Sequence, residues 1–232
     1  RQILEARARP FLDVARAEDW GDGGSVAVCG TEVEGAATVA DVAGRERAVR
    51  FRADRVDRHG GTIRLTDYKS GAVPDLGGSR GGSKLLREIG SGRLLQGAAY
   101  ALSGDPAALG RFLYLAPGGA DRSPREVAIS WSAEVAEAFG RAVRAVLQAW
   151  DRGAFFPRLS EGARDEEPRR CSYCEVRAAC LRGDSGARAR LAGWVREEAD
   201  AADAEGRLSE AERALTSLWR LPAAARGGEG DA

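Results

Sequence analysis

The sequence predicts an α/β fold with a mixed central sheet, on three observations. The stretch SVAVCGTEVEGAATV, from Ser25, alternates in polarity and is rich in Val and Thr. Two more alternating runs, AVRFRADRVD (48–57) and TIRLTDYKS (62–70), are joined by RHGG. Segments of helical period lie on either side of them, giving the order α-βββ(β)-α-β-β-α. A chain of 232 residues suits one large domain or one and a half ordinary ones.

The elements follow in order. Residues 1–18 read as an amphipathic helix with Ile3, Leu4, Phe11, Leu12 and Val14 as its apolar positions, and GDGG (21–24) as a loop. One or two strands run to about residue 40, followed by the strands at 48–57 and 62–70. PDLGGSRGGS (74–83) is a loop. Residues 92–104 form a helix stopped by Gly104, and 110–119 and 125–131 are strands. Ser132 caps a helix to about 152, with Val135, Phe139, Val143, Val146, Leu147 and Trp150 on one stripe. After GAFFPRL comes a cysteine loop at 171–180, then helices near 186–205 and 210–220 and a frayed tail. Ser209 and Glu212 form a capping box for the last helix.

Composition narrows the function. The 35 basic and 35 acidic residues balance, so contact with nucleic acid must run through a local patch or another domain. No apolar run approaches the roughly 18 residues of a membrane span, and the N-terminus does not read as a signal peptide, so a cytoplasmic location and no membrane partner are expected. The chain has no methionine and opens on Arg1, which predicts a piece of a longer polypeptide. Its single histidine, His59, excludes His-rich metal sites. Only Lys69 and Lys84 are lysines, in a chain that otherwise uses arginine. A compact ammonium fits beside a phosphate and a metal where a planar guanidinium is bulkier.

The hairpin carries the chemistry. A turn centred on His59 and Gly60 would pair Asp54 with Leu65, Arg52 with Asp67 and Arg50 with Lys69. One face then holds Asp54, Val56, Ile63, Leu65, Asp67 and Lys69, with the two aspartates as diagonal neighbours roughly 7 Å apart. Such carboxylates repel unless a cation lies between them. Mg²⁺ or Mn²⁺ takes oxygen ligands and keeps several waters. Lys69, two residues on, is placed to orient water or stabilise charge on a phosphorane-like transition state. The plainer reading is a surface hairpin with cross-strand ion pairs from Arg52, Arg55, Arg58 and Arg64.

Together, ADRVD and TDYKSG resemble the core of the PD-(D/E)XK nuclease superfamily, and within it the RecB/AddB-like nuclease domains of helicase–nucleases. EVEG matches the acidic position of the preceding strand, with Glu34 the better match and Glu32 the second. LLQGAAYAL resembles the family's Gln–Tyr helix, and GAFFPRL with CSYCEVRAAC its iron–sulfur segment. The resemblance covers about residues 30–180. It implies a restriction-endonuclease-like mixed sheet flanked by helices, with a C-terminal cysteine loop and helical extension. It also implies that Asp54, Asp67, Glu34 and the Tyr68 carbonyl bind metal and that Lys69 is catalytic. Gln96 and Tyr100, four apart on one helix face, would serve the site. The family's usual glycine three residues before the first aspartate is here Phe51. Related nucleases carry a metal-binding histidine on an earlier helix. His59 is in the hairpin turn, so that helix is expected upstream of Arg1.

Cys171, Cys174 and Cys180 form C-x2-C-x5-C, and three thiolates this close suit a soft metal. By resemblance the group is a 4Fe–4S cluster that staples the C-terminal segment to the core. Its fourth ligand would be Cys29 or a cysteine upstream of the chain. A zinc site is the alternative metal, and Cys29 as a buried structural cysteine is the alternative to a ligand role. GGSRGGSKL, with Gly77, Gly82 and Lys84, fails as a phosphate loop because Ser83 intervenes and Leu85 stands where Ser or Thr belongs. Arg80 and Lys84 are instead candidates to touch DNA backbone.

These readings divide the chain into a nuclease core (1–168), a cysteine segment (169–182) and a helical extension (183–232). The expected function is a Mg²⁺- or Mn²⁺-dependent DNA exonuclease domain of a repair or recombination helicase–nuclease, fed by a helicase or motor subunit. The alternatives are a non-catalytic DNA-end-binding scaffold and a stand-alone nuclease of the CRISPR-adaptation type.

Overall fold

Five strands form one sheet in the order β1-β2-β3-β4-β5. They are β1 (Val26–Ala40), β2 (Glu46–His59), β3 (Thr62–Lys69), β4 (Ala108–Tyr114) and β5 (Glu126–Ser130). The structure is a computed structural model and describes residues 2–21, 23, 26–76, 81–103, 108–117, 125–154, 169–180 and 185–221. Every neighbouring pair is antiparallel except β3–β4, which is parallel. A parallel pair needs a long crossover. Here it carries α2 (Gly81–Gly90) and α3 (Leu95–Ala101). Helices α1 (Gln2–Trp20) and α4 (Ala133–Asp151) flank the strands in sequence. The fold is thus the expected α/β architecture with a mixed sheet and flanking helices.

The hairpin register differs from the sequence reading. Arg55 pairs with Thr66, Val56 with Leu65 and His59 with Thr62, so the turn is Gly60–Gly61 and not His59–Gly60. Both turn glycines have positive φ, 56° and 89°. A two-residue hairpin of matching twist needs that at both positions, and His59 would be strained in either one. The slip is two residues, so every side chain keeps its face. The ladder runs as far as Arg55–Thr66, and Asp54 and Asp67 are the next residues on either strand.

Other elements were mislocated at their ends. Part of the predicted 74–83 loop is the start of α2, and α3 begins at Leu95, not 92. The stripe on α4 holds at Val135, Phe139 and Val143, which are buried, but Val146 and Trp150 are exposed. Ser132 does cap α4, its Oγ accepting from the Val135 N–H at 3.2 Å. Among the described side chains of α1, Phe11 and Val14, with Ala15 and Asp19, turn inward, while Ile3, Leu4 and Leu12 stay exposed. Gly104, the GAFFPRL stretch beyond Ala154, Arg80 and the tail lie outside the described residues.

The chain divides within α4 into two compact units, the first ending at Arg144 and the second starting at Ala145. In the second, α5 (Ser185–Gly193) passes through a π-helical turn (Trp194–Glu198) into α6 (Ala199–Ala204). Helix α7 (Glu210–Arg220) starts at the predicted Ser209–Glu212 capping box. Ala214 and Leu215 pack with Ala149 and Ala154, with Leu218 and Trp219 against them.

Candidate active site

The two faces of β3 do different work. On one face Arg64 is buried beside Thr66, and with Arg55, Asp57, Arg111 and Asp19 it makes a charged cluster. Arg55 Nε donates to Asp57 at 2.9 Å and its Nη2 bonds Asp19. Arg64 Nε donates to Asp57 at 2.7 Å, and Arg111 donates to Asp19 at 2.6 Å and to Glu126 at 2.8 Å. Three guanidinium groups thus meet three carboxylates, which is how buried charge becomes tolerable. Burial opposes ionisation of Asp19, but the bonds from Arg55 and Arg111 outweigh it and hold the carboxyl below its usual range. The cluster ties the end of α1 to the sheet. It also corrects the surface-pair reading of Arg55 and Arg64, whose charges are internal.

The other face carries Leu65, Asp67 and Lys69 on β3 beside Gly110, Phe112 and Tyr114 on β4. Helix α3 lies against this face. A side chain on Gly110 would collide with the Gly97 carbonyl, so the close approach of α3 to β4 requires glycine there. That approach lets Tyr100, fully buried, reach β2: its hydroxyl donates to the Arg52 carbonyl at 3.0 Å. Gln96 Nε2 donates to the Tyr100 oxygen at 2.7 Å. Burial, then the charge of Asp67, raises the Tyr100 phenol well above its ordinary range, so it remains a neutral donor. Tyr100 also packs edge-on against Phe51, with ring centroids 4.9 Å apart. Gly35, paired with Phe51, leaves the space this ring fills. A glycine across the ladder thus accommodates Phe51 where the family pattern has its own glycine.

At the end of this face Asp54 and Asp67 come together. The last ladder pair of β2 and β3 is Arg55–Thr66, and beyond it the Asp54 Oδ2 accepts the Tyr68 backbone N–H at 2.8 Å. Asp67 is buried, at 6% exposure. Lys69 Nζ stands 2.5 Å from Asp67 Oδ2, an ion pair that sets the ammonium against the buried oxygen. Lys69 Nζ also lies 5.3 Å above the Phe112 ring. Burial, followed by the Asp67 charge, raises the Tyr114 phenol.

The remaining candidates are more dispersed. Glu34 is exposed on β1, paired with Arg52. Glu32, with φ 54°, turns its carboxylate to Arg52 Nε at 2.9 Å. Among the described residues no three of His, Cys, Asp and Glu gather closely enough to hold a metal, so Glu34 does not join the aspartate pair and the cysteines form no such group. Cys171 and Cys180 are half-buried and Cys174 is exposed, in two 3₁₀ turns (Arg169–Tyr173 and Arg177–Ala179), and all are free thiols. Cys29 is exposed at a bulge in β1, its thiol donating to the Ala27 carbonyl at 3.6 Å, so it is not the buried structural cysteine of the alternative reading. Lys84 contacts Asp75 at 3.3 Å. His59 is exposed at the end of β2. The sequence reading missed Phe112 and Tyr114. Alternation along GRFLYL, in register with TDYK, is the signal that finds them.

A family model of the PD-(D/E)XK nuclease superfamily matches residues 1–181. The chain belongs to that superfamily, whose activity is nucleolytic and generally metal-dependent. No curated protein matches the sequence. The donor set fits a hard divalent cation: Asp54 and Asp67 both lie near enough to the Tyr100 phenol for their charges to raise it, with one ammonium beside Asp67. Such ions are held by one or two carboxylates and keep several waters. No helix among the described residues is long and apolar enough to cross a membrane.

Proposed function

We propose that this chain is the nuclease domain of a DNA repair or recombination helicase–nuclease and hydrolyses phosphodiesters exonucleolytically. The observation that carries the reading is the grouping of two carboxylates and one ammonium at one end of the hairpin: Asp54 accepts the Tyr68 N–H next to Asp67, and the Lys69 ammonium stands 2.5 Å from the Asp67 Oδ2. Neighbouring carboxylates repel, and one ammonium offsets only one of the two charges, so a further cation stabilises the pair. Asp54 and Asp67, with the Tyr68 carbonyl and Glu34 through water, would hold Mg²⁺ or Mn²⁺. Such an ion, when held there, would supply a more acidic bound water and charge neutralisation at a phosphate oxygen.

The chain's own residues do the rest. The Tyr68 N–H fixes the Asp54 carboxylate, leaving its other oxygen for a ligand. Lys69 offers a positive charge where the reacting phosphate gains negative charge. Tyr100 and Gln96 hold the Arg52 carbonyl and so fix the strand that carries Asp54. DNA backbone contacts fall to Arg80 and Lys84. Cys171, Cys174 and Cys180, drawn together from their present positions and joined by a residue outside this chain, would bind a 4Fe–4S cluster within the C-terminal segment. The cluster is structural in this reading.

The test uses end-labelled linear DNA and a closed circle of the same sequence, with Mg²⁺ or Mn²⁺. Loss of the linear substrate from its ends, sparing the circle and abolished in Lys69→Ala and Asp67→Asn, is the expected result. Tight DNA-end binding without cleavage would overturn the catalytic reading in favour of a scaffold module. Cleavage of the circle would overturn the exonuclease assignment.

A further inference from the structure

We infer that Phe112 is a positioning residue for Lys69, its ring being the platform that keeps the ammonium beside Asp67; this rests on the nuclease reading of the same hairpin. Phe112 is 2% exposed, and β3 and β4 run parallel with Asp67 beside Phe112 and Lys69 beside Tyr114. The Lys69 Nζ lies 5.3 Å from the ring centroid, inside the roughly 6 Å reach of a cation–π contact. Among the described residues, the ammonium also pairs with the Asp67 carboxylate.

Those two partners are not equivalent. A divalent cation on Asp67 would compete with the ammonium for Oδ2, and like charges repel. The ring does not compete for the cation. Its negative face still attracts the ammonium after the carboxylate is engaged. The ring is buried between the sheet and α3. Its edge meets Gly97 of α3, where any Cβ would press on the Phe112 and Ile129 side chains. Gly97 therefore seats the ring, the ring seats the lysine, and α3 fixes both the strand of Asp54 and the reach of Lys69.

The chain has two lysines, so lysine-selective ¹³C labelling gives two sets of ε-methylene signals, assigned with Lys84→Arg. In the wild-type protein the Lys69 ε-protons are expected upfield of those of Lys84, because they lie over a ring. They should stay there when Mg²⁺ is added. In Phe112→Leu they should move to the ordinary position. A Lys69 signal at the ordinary position in the wild type, or one that returns there on adding Mg²⁺, overturns the inference without bearing on nuclease activity.

Kinetics supply the second arm. Phe112→Leu is expected to lower kcat about fivefold to tenfold with KM for DNA unchanged, the worth of a partly exposed cation–π contact. In a Lys69→Ala background the same change should cost nothing further, since a positioning effect needs the lysine. Equal losses in both backgrounds would make Phe112 a packing residue only. Full activity of Lys69→Ala would instead overturn the nuclease reading of the hairpin, and the NMR arm would still decide the placement of the lysine.

Discussion

Asp54 and Tyr68 are joined where the β2–β3 ladder ends: the Asp54 carboxylate, not a backbone carbonyl, accepts the Tyr68 N–H at 2.8 Å. The strand pair opens at this point, and a side chain satisfies the backbone donor that the opening frees. One carboxylate thus closes the end of the ladder through its Oδ2 and, in the function proposed above, offers its other oxygen to the metal.

That double role separates two substitutions. Asp54→Asn keeps an acceptor for the Tyr68 N–H and is expected to unfold within a few tenths of a kcal/mol of wild type, whereas Asp54→Ala strands the donor and costs about 1 kcal/mol. Both should abolish metal-dependent cleavage. Urea unfolding and a nuclease assay on the two variants check this. Equal stability losses in both would show that the bond to Tyr68 contributes nothing.

Gly110 tests how α3 is positioned. Gly110→Ala places a methyl against the Gly97 carbonyl, a backbone atom with no rotamer to retreat to. Overpacking of this kind costs about 1–3 kcal/mol. Lifting α3 also draws Tyr100 and Gln96 from the Arg52 carbonyl, so activity should fall by more than stability alone explains. Thermal unfolding with kcat measured well below the transition separates the two effects.

Much of this arrangement is legible in the sequence because it is local. Alternation gave the faces of β2 and β3, so Asp54, Asp67 and Lys69 fell on one side even though the register was off by two. The register depended on whether His59 or Gly61 shared the turn with Gly60, and positive φ at both positions decides it. Ser132, Ser209 and Glu212 were readable as caps because capping spans three residues. The charged cluster was not readable. Asp19 reaches Arg55, Arg64 and Arg111 across 36, 45 and 92 residues, and no local pattern encodes such a meeting. For the same reason the helical period of α1 pointed to Ile3 and Leu4 as inward positions, when its inner end is anchored by an aspartate.

Asp19 should therefore dominate the stability of the first unit. Asp19→Asn leaves Arg55 and Arg111 buried with too little negative charge. Removing one partner of a buried pair typically costs about 3–5 kcal/mol. The control is Glu18→Gln: Glu18 contacts Arg125 at 3.7 Å and is about a third exposed, so it should shift stability by less than about 1 kcal/mol. Urea unfolding of both variants at neutral pH is the measurement. A small effect of Asp19→Asn would mean that the arginines are neutralised by Asp57 and Glu126 without it.

Acid should weaken the fold through the β1–β2 turn. Asp41 Oδ1 accepts the N–H groups of Ala43 and Arg45, and its Oδ2 accepts from the Arg45 guanidinium at 2.8 Å. Burial opposes charge there, but these bonds, led by the Arg45 N–H, bring the carboxyl down to about 2 from an ordinary 3.8. A carboxyl depressed in the folded state binds its proton more readily when unfolded, so the stability it adds is present above the unfolded value. It is lost as pH falls from about 4 through about 2. Asp19, also held low, steepens the same limb. Urea midpoints between pH 5 and pH 2 should fall less steeply for Asp41→Asn than for the wild type, the two curves converging at the acid end. Parallel curves would show that the turn carboxylate titrates alike in folded and unfolded chains.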